Sequence, residues 1–228
     1  VESHTLAHVL NSYLEGMCQV IHKYDGMVDK FIGDAVFAIF NAFGDQPDHG
    51  ERAISCALEL DHFAEQFRAE QNAAGVPFGI TRIGVHSGLA TVGNFGSQSR
   101  FEYTALGDAV NTASRLEGLN KFFGTRICVS EVTRAHCKGV PFRPIGLVVV
   151  KGKTQALGIN EPLSEERANA DYIARYRHAY QRLEAGAEEA LALFEELYAE
   201  NPYDGCVAVH VERLRAGTRS TEIAMTEK

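Results

Sequence analysis

The 228-residue chain has too few cysteines, in the wrong arrangement, for a covalent frame. Cys18, Cys56, Cys128, Cys137 and Cys206 are odd in number and scattered, with no C-x-x-C pair and no histidine spacing of the zinc kind. This argues against a disulfide scaffold or a structural zinc site and leads us to expect reduced thiols in a cytosolic compartment. The chain also lacks any run of 18 or more apolar residues, so no segment reads as a membrane span, and its first residues do not have the form of a signal peptide. Positive charge is scarce as well: 22 Lys and Arg stand against 30 Asp and Glu, a formal net charge of −8. Such a field repels polyanions, which argues against nucleic acid as a partner. A phosphate-bearing ligand would have to be held by a few local cations or a metal.

The chain is 45% hydrophobic and 23% charged, which suffices for a real core. From Leu6 to Tyr24 the apolar residues recur with a period near 3.6 and Gly26 follows, so a helix is expected there. "MVDKFIGDAVFAIF", residues 27–40, reads as two short strands hinged at Gly33-Asp34. A second helix spans about 51–71, with Asp48 as its cap. "FGITRIGVHSG" and "LATVGNFG" read as a strand pair joined around Ser87-Gly88. A loop then leads into a helix over about 108–123, closed by Gly124. A strand at "RICVS", a short helix and two further strands complete this part. The pattern predicts an α+β fold, a ferredoxin-like sandwich. Pro162 and "SEERANAD" mark a boundary between residues 1–163 and a helical extension over 164–228. Helices are expected at 172–183, 187–198 and 204–214, similar to tetratricopeptide-type helices and packing as an accessory, with a disordered tail.

The hairpin at 27–40 is unusual because Asp29, Lys30 and Asp34 interrupt segments otherwise built for burial. "DKFIGDAVFAIF", "RIGVHSG", "LGDAVNTASRLEGLNK" and "VKGK", in this order, resemble the class III nucleotidyl cyclases, the adenylate and guanylate cyclase catalytic domain, over roughly residues 5–163. Thr104 in "EYTALGDAVN" suggests the bacterial adenylate cyclase branch. The resemblance implies formation of a cyclic nucleotide in two sites at a head-to-tail homodimer interface, with two Mg²⁺ or Mn²⁺ ions per site.

On that resemblance Asp34 would ligate metal, a task suited to a hard oxygen donor. Lys30 would read the purine of ATP: its ammonium only donates, which matches adenine N1 and opposes the N1–H of guanine. Thr104 would complement the exocyclic amine. Asn111 would orient the ribose and Arg115 would neutralise charge on the α-phosphate; their spacing of four puts them on one helical face. Lys151, or failing it Lys153, would reach the terminal phosphates. Simpler roles exist for each: a plain turn carboxylate for Asp34, a solvated lysine for Lys30, an ion pair with Glu117 for Arg115. His86 reads as a strand histidine and not a ligand.

One part of the family pattern has no counterpart. The family opens with a strand of the type F-x-D-I-x-x-F-T that carries the other metal-binding aspartate, whereas residue 1 here already lies at or just before the first helix. The expectation is that an upstream segment is omitted, together with any sensor or membrane-attached domain that would precede it. A cyclase-like regulatory module without catalysis, and a guanylate cyclase, are the competing readings.

Overall fold

A computed structural model describes residues 3–97, 99–149 and 156–225. Helix α1 (Ser3–Lys23) is followed by strands β1 (Met27–Ile32) and β2 (Ala35–Ile39), then helix α2 (His49–Ala73). Val9, Tyr13, Met17 and Ile21, each four residues apart, form the buried stripe of α1. They pack against Cys56, Leu60, Ala64 and Phe67 of α2 and against Val28, Val36 and Ala38 of the hairpin. Gly33, at φ +66°, takes the first position of the two-residue turn between Ile32 and Ala35, where a hairpin turn of the primed kind favours glycine. Asp48 occupies the N-cap position of α2, but its carboxylate caps no backbone group; Oδ1 instead accepts from Arg52 Nε at 2.8 Å.

Next come β3 (Ile83–Val85), β4 (Thr91–Ser97), β5 (Arg100–Leu106), helix α3 (Asp108–Phe123), β6 (Ile127–Ser130), α4 (Glu131–Arg134), β7 (Phe142–Val149) and β8 (Leu157–Pro162). Here the structure departs from the sequence reading in two ways. Strand β3 is only three residues long and pairs in parallel with β6, not with β4. Strand β4 forms an antiparallel hairpin with β5, a stretch that we expected to be loop. His86 accordingly lies just beyond β3, with Nδ1 2.8 Å from Ser130 Oγ.

Helices α5 (Glu165–Asn169), α6 (Asp171–Glu184), α7 (Ala190–Glu200) and α8 (Gly205–Arg215) follow, then β9 (Glu222–Ala224). Among the described residues the main sheet has the order β3-β6-β8-β7-β9, and β1-β2 and β4-β5 each form a separate two-stranded sheet. β9 lies parallel to β7, so at least this part of the expected disordered tail is ordered.

Helices cover both faces of the main sheet, in keeping with an α+β cyclase-type fold. Alternation along β6 shows why: Ile127 and Val129 meet Ile54 and Ala57 of α2, whereas Cys128 joins Leu116, Leu119 and Phe123 of α3. The latter core continues without a break into Tyr176, Leu183, Phe194, Leu197, Val207 and Val211 of the helical extension. All five cysteines are free, and burial pushes the Cys128 thiol up to about 12.

Candidate active site

Alternation along β1 should send Asp29 and Lys30 to opposite faces. It does not, because the register slips between Val28 and Lys30: Val28 pairs with Ala38 and Lys30 with Phe37, leaving Asp29 as an extra residue in a β-bulge. A bulge re-aims side chains. Both residues now face β5. Thr104 donates its hydroxyl proton to Asp29 Oδ2, and Lys30 Nζ lies 3.3 Å from Glu102 Oε2 and 3.9 Å from Asp29 Oδ2. The Asp29 side chain is 2% exposed and that of Lys30 35%. Thr104 is buried. The two residues expected to read the purine are therefore brought together by an aspartate whose importance could not be read from the sequence without knowing of the bulge.

The face of α3 is built in the same bottom-up way. Thr112, Leu116, Leu119, Asn120 and Phe123 are buried, which leaves Asn111 exposed and Arg115 half-buried along one flank of that stripe. Among the described residues neither has a hydrogen bond or ion pair, so the alternative pairing of Arg115 with Glu117 is not formed. Two features fix this helix against the sheet. Gly84 allows a backbone contact so close that a Cβ there would lie 2.2 Å from the Ala113 carbonyl oxygen. Asn120, fully buried, donates to the carbonyls of Ile83 (2.9 Å) and Glu117 (3.0 Å) and accepts from Thr125 Oγ1 at 2.7 Å. Sequence reasoning did not single out Asn120; a polar residue on the buried face of an amphipathic helix is the signal that could have done so.

Asp34 is exposed at the hairpin tip and makes no hydrogen bond or ion pair among the described residues. Lys151 and its fallback Lys153 lie outside the described residues. Among the described residues no group of three or more His, Cys, Asp or Glu could hold a metal ion. The Asp34 carboxylate is a hard oxygen donor of the type that suits magnesium, an ion commonly held by one or two carboxylates together with substrate phosphates. A groove of about 550 Å³ lined by His22, Asp25, Val28, Phe43 and Gln46 contains none of these residues.

The fold that carries these hairpins and α3 has known counterparts. Residues 1–160 match the adenylate and guanylate cyclase catalytic domain family, and the chain belongs to that family. Adenylate cyclase 1 of Rhizobium meliloti (strain 1021) is 43% identical over 161 residues, which cover 70% of this chain and 24% of that protein. The chain therefore spans about a quarter of that relative's length. The solved adenylyl cyclase CyaB from P. aeruginosa matches with a TM-score of 0.67 and 30% identity, over 75% of this chain and 88% of that one. The guanylyl cyclase Cya2 matches at 0.62 and 27%, over 72% and 84%. The family depends on divalent metal. Because adenylyl and guanylyl cyclases share the fold, side chains must choose the purine.

Proposed function

We propose that this chain is the catalytic domain of an adenylate cyclase, converting ATP to 3′,5′-cyclic AMP and pyrophosphate in sites shared between two copies. The observation that carries this reading is the convergence of Lys30 and Thr104, on separate hairpins, around Asp29. Lys30 donates to adenine N1 and Thr104 meets the 6-amino group. Asn111 orients the ribose so that its 3′-oxygen faces the α-phosphate. A bond forms between that oxygen and phosphorus as the bond to the β-phosphate oxygen breaks, and the hydroxyl proton departs to solvent. Arg115 neutralises the charge that accumulates on the α-phosphate, and Lys151 holds the leaving phosphates. Two Mg²⁺ or Mn²⁺ ions per site, with Asp34 as the ligand from this chain, would supply charge neutralisation and a more acidic 3′-hydroxyl.

A dimer accounts for two further observations. Asp34 is exposed at the hairpin tip and among the described residues bonds to none of Asp29, Lys30 and Thr104, as a ligand serving a second site would. Large apolar residues are bare on both hairpins and on the loop before β4: Phe31, Ile32, Phe101, Leu106 and Leu89. On this reading the domain works in the cytoplasm, joined to sensor or membrane-attached parts of a longer protein. Among the described residues no helix is long and apolar enough to cross a membrane.

One observation favours a second reading, a cyclase-like dimerisation module without catalysis: among the described residues no group of three or more His, Cys, Asp or Glu could hold a metal ion. Cyclic nucleotide formation from ATP and from GTP, with manganese and over a range of protein concentrations, separates the two. Cyclic AMP formed at a rate rising as the square of concentration in the dilute regime is expected. No product from either nucleotide at any concentration would establish the module instead, and activity in a strictly monomeric sample would refute the shared site.

A further inference from the structure

A threonine hydroxyl is ambiguous as a purine reader. It can donate to the 6-oxygen of guanine as readily as it can accept from the 6-amino group of adenine. Read alone, Thr104 therefore carries little selectivity. Its surroundings remove the ambiguity. The single hydroxyl proton of Thr104 is directed at Asp29 Oδ2, a carboxylate that only accepts and whose side chain is almost wholly withdrawn from solvent. The bulge at Asp29 holds the carboxylate there, and Lys30 Nζ at 3.9 Å balances its charge. With its proton committed, Thr104 offers only lone pairs to a ligand.

We propose that Asp29 is a specificity-determining positioning residue: by taking the Thr104 proton it makes that hydroxyl an obligate acceptor and so selects a 6-amino purine over a 6-oxo purine. A 6-amino group finds an acceptor. A 6-oxo group meets lone pairs against lone pairs, and a buried polar group left unmatched in this way is costly. Lys30 and Asp29 then impose complementary demands, a donor at N1 and an acceptor at the 6-position. Together they read two of the three edge positions that differ between adenine and guanine, N1 and the 6-position, leaving the 2-position unread. This inference rests on the adenylate cyclase reading and adds to it the residue that enforces the choice.

The test uses two nucleotides of equal bulk that differ only at the 6-position: N6-methyl-ATP, which keeps one N–H, and 6-methoxypurine riboside triphosphate, which presents an ether oxygen; both keep N1 as an acceptor. The unmodified protein is expected to use the methylamino compound with a kcat/KM about tenfold or more higher, the cost of one mismatched buried hydrogen bond. Equal use would overturn the proposal without any substitution being made. In Asp29→Asn the side-chain amide can donate to Thr104 Oγ1 and free its proton, so the ratio should collapse towards one and the ATP-to-GTP preference should fall by a similar factor. In a Thr104→Val background Asp29→Asn should leave both ratios unchanged. An unaltered ratio in Asp29→Asn, or an equal change with and without the Thr104 hydroxyl, would refute the mechanism. If the unmodified protein cyclises neither ATP nor GTP, the functional reading fails and takes this inference with it; if it is ATP-selective and Asp29→Asn is equally so, the inference alone fails.

Discussion

Replacing Asp204 should show how tightly the helical extension is bound to the cyclase fold. Arg143 on β7 and Asp204 before α8 are both nearly buried, with 5% and 6% of their side chains exposed. Arg143 reaches Asp204 Oδ2 at 2.5 Å and Glu161 Oε2 at 2.5 Å, and its guanidinium lies 4.9 Å from the centre of the Tyr176 ring. Asp204 also accepts from the Tyr172 hydroxyl at 3.0 Å and from the backbone N–H groups of Cys206 and Val207 at the start of α8. Burial pushes the Asp204 carboxyl up, but the Arg143 charge and these hydrogen bonds more than reverse it, leaving it below the usual carboxylate range. Breaking a buried pair costs about 3–5 kcal/mol. Glu161 still faces Arg143, so the lower end applies; adding about 1 kcal/mol for the lost helix cap gives about 4 kcal/mol for Asp204→Ala. Asp204→Asn keeps a capping side chain and should cost about 3 kcal/mol. Urea unfolding followed by circular dichroism would measure both, with Arg143→Met as the second side of a double-mutant cycle. In that background Asp204→Ala should cost only the cap, about 1 kcal/mol. A cost for Asp204→Ala below about 1 kcal/mol in the unmodified chain, or one that Arg143→Met does not reduce, would refute the reasoning.

Three further outcomes follow from other parts of the structure. Arg115→Ala should lower the rate of cyclisation by about 10²–10³ and leave the melting temperature almost unchanged, because the side chain makes no hydrogen bond or ion pair among the described residues; steady-state kinetics beside a thermal melt would check both. Gly84→Ala would set a methyl group 2.2 Å from the Ala113 carbonyl oxygen and 2.3 Å from the Glu117 nitrogen. It should cost about 1–3 kcal/mol and reduce activity with it, since α3 has to move; an unchanged melt would contradict the packing. His210 is buried, with Nε2 3.0 Å from the Ile145 carbonyl oxygen and Nδ1 without a partner among the described residues. Desolvation, aided by Arg213, lowers its pKa to about 4. The unfolded chain therefore binds the proton first, near pH 6.5, and stability should fall as pH drops from there towards 4, by roughly 3 kcal/mol in all. Urea midpoints at pH 7.5, 6 and 5 would show the fall, and His210→Phe should flatten it.

Period and punctuation carried most of the fold. The stripe of α1, Gly33 at the hairpin turn, Gly124 after α3 and the three long helices of the extension were all legible, because each depends on local chemistry. What could not be read depends on distant partners. The residues of β5 read as loop because "RFEYTAL" carries Arg, Glu and Thr among its apolar residues, and only pairing with β4 makes them a strand. β9 is three residues long and exists by adding to the edge of β7. Asp48 sits where a cap belongs, yet Arg52 claims its carboxylate. In the candidate site, Lys30 and Thr104 were named from the resemblance, but Asp29 depends on a register slip that no pattern of residue types announces.

The continuity of the core across Leu163 yields a last prediction. Leu119 and Phe123 of α3, with Ile145 and Val148 of β7, are buried, and the core they belong to includes Tyr176, Phe194, Cys206, Val207 and Ile223 from the extension. Cys206 Sγ even donates to the Phe123 carbonyl at 3.6 Å, at the end of the helix that presents Asn111 and Arg115. Removing residues 164–228 would bare these four side chains at about 1.5–3 kcal/mol each if fully exposed. That loss, roughly 6–12 kcal/mol, is comparable to the whole stability of a typical domain, about 5–15 kcal/mol. It would also leave Arg143 facing Glu161 without Asp204. The fragment 1–163 should therefore lack a cooperative unfolding transition and bind a hydrophobic dye, whereas the intact chain should unfold in one step. A soluble fragment with a sharp transition would mean that the extension leans on the catalytic fold without helping to hold α3 in place, and that Asn111 and Arg115 are positioned by the sheet alone.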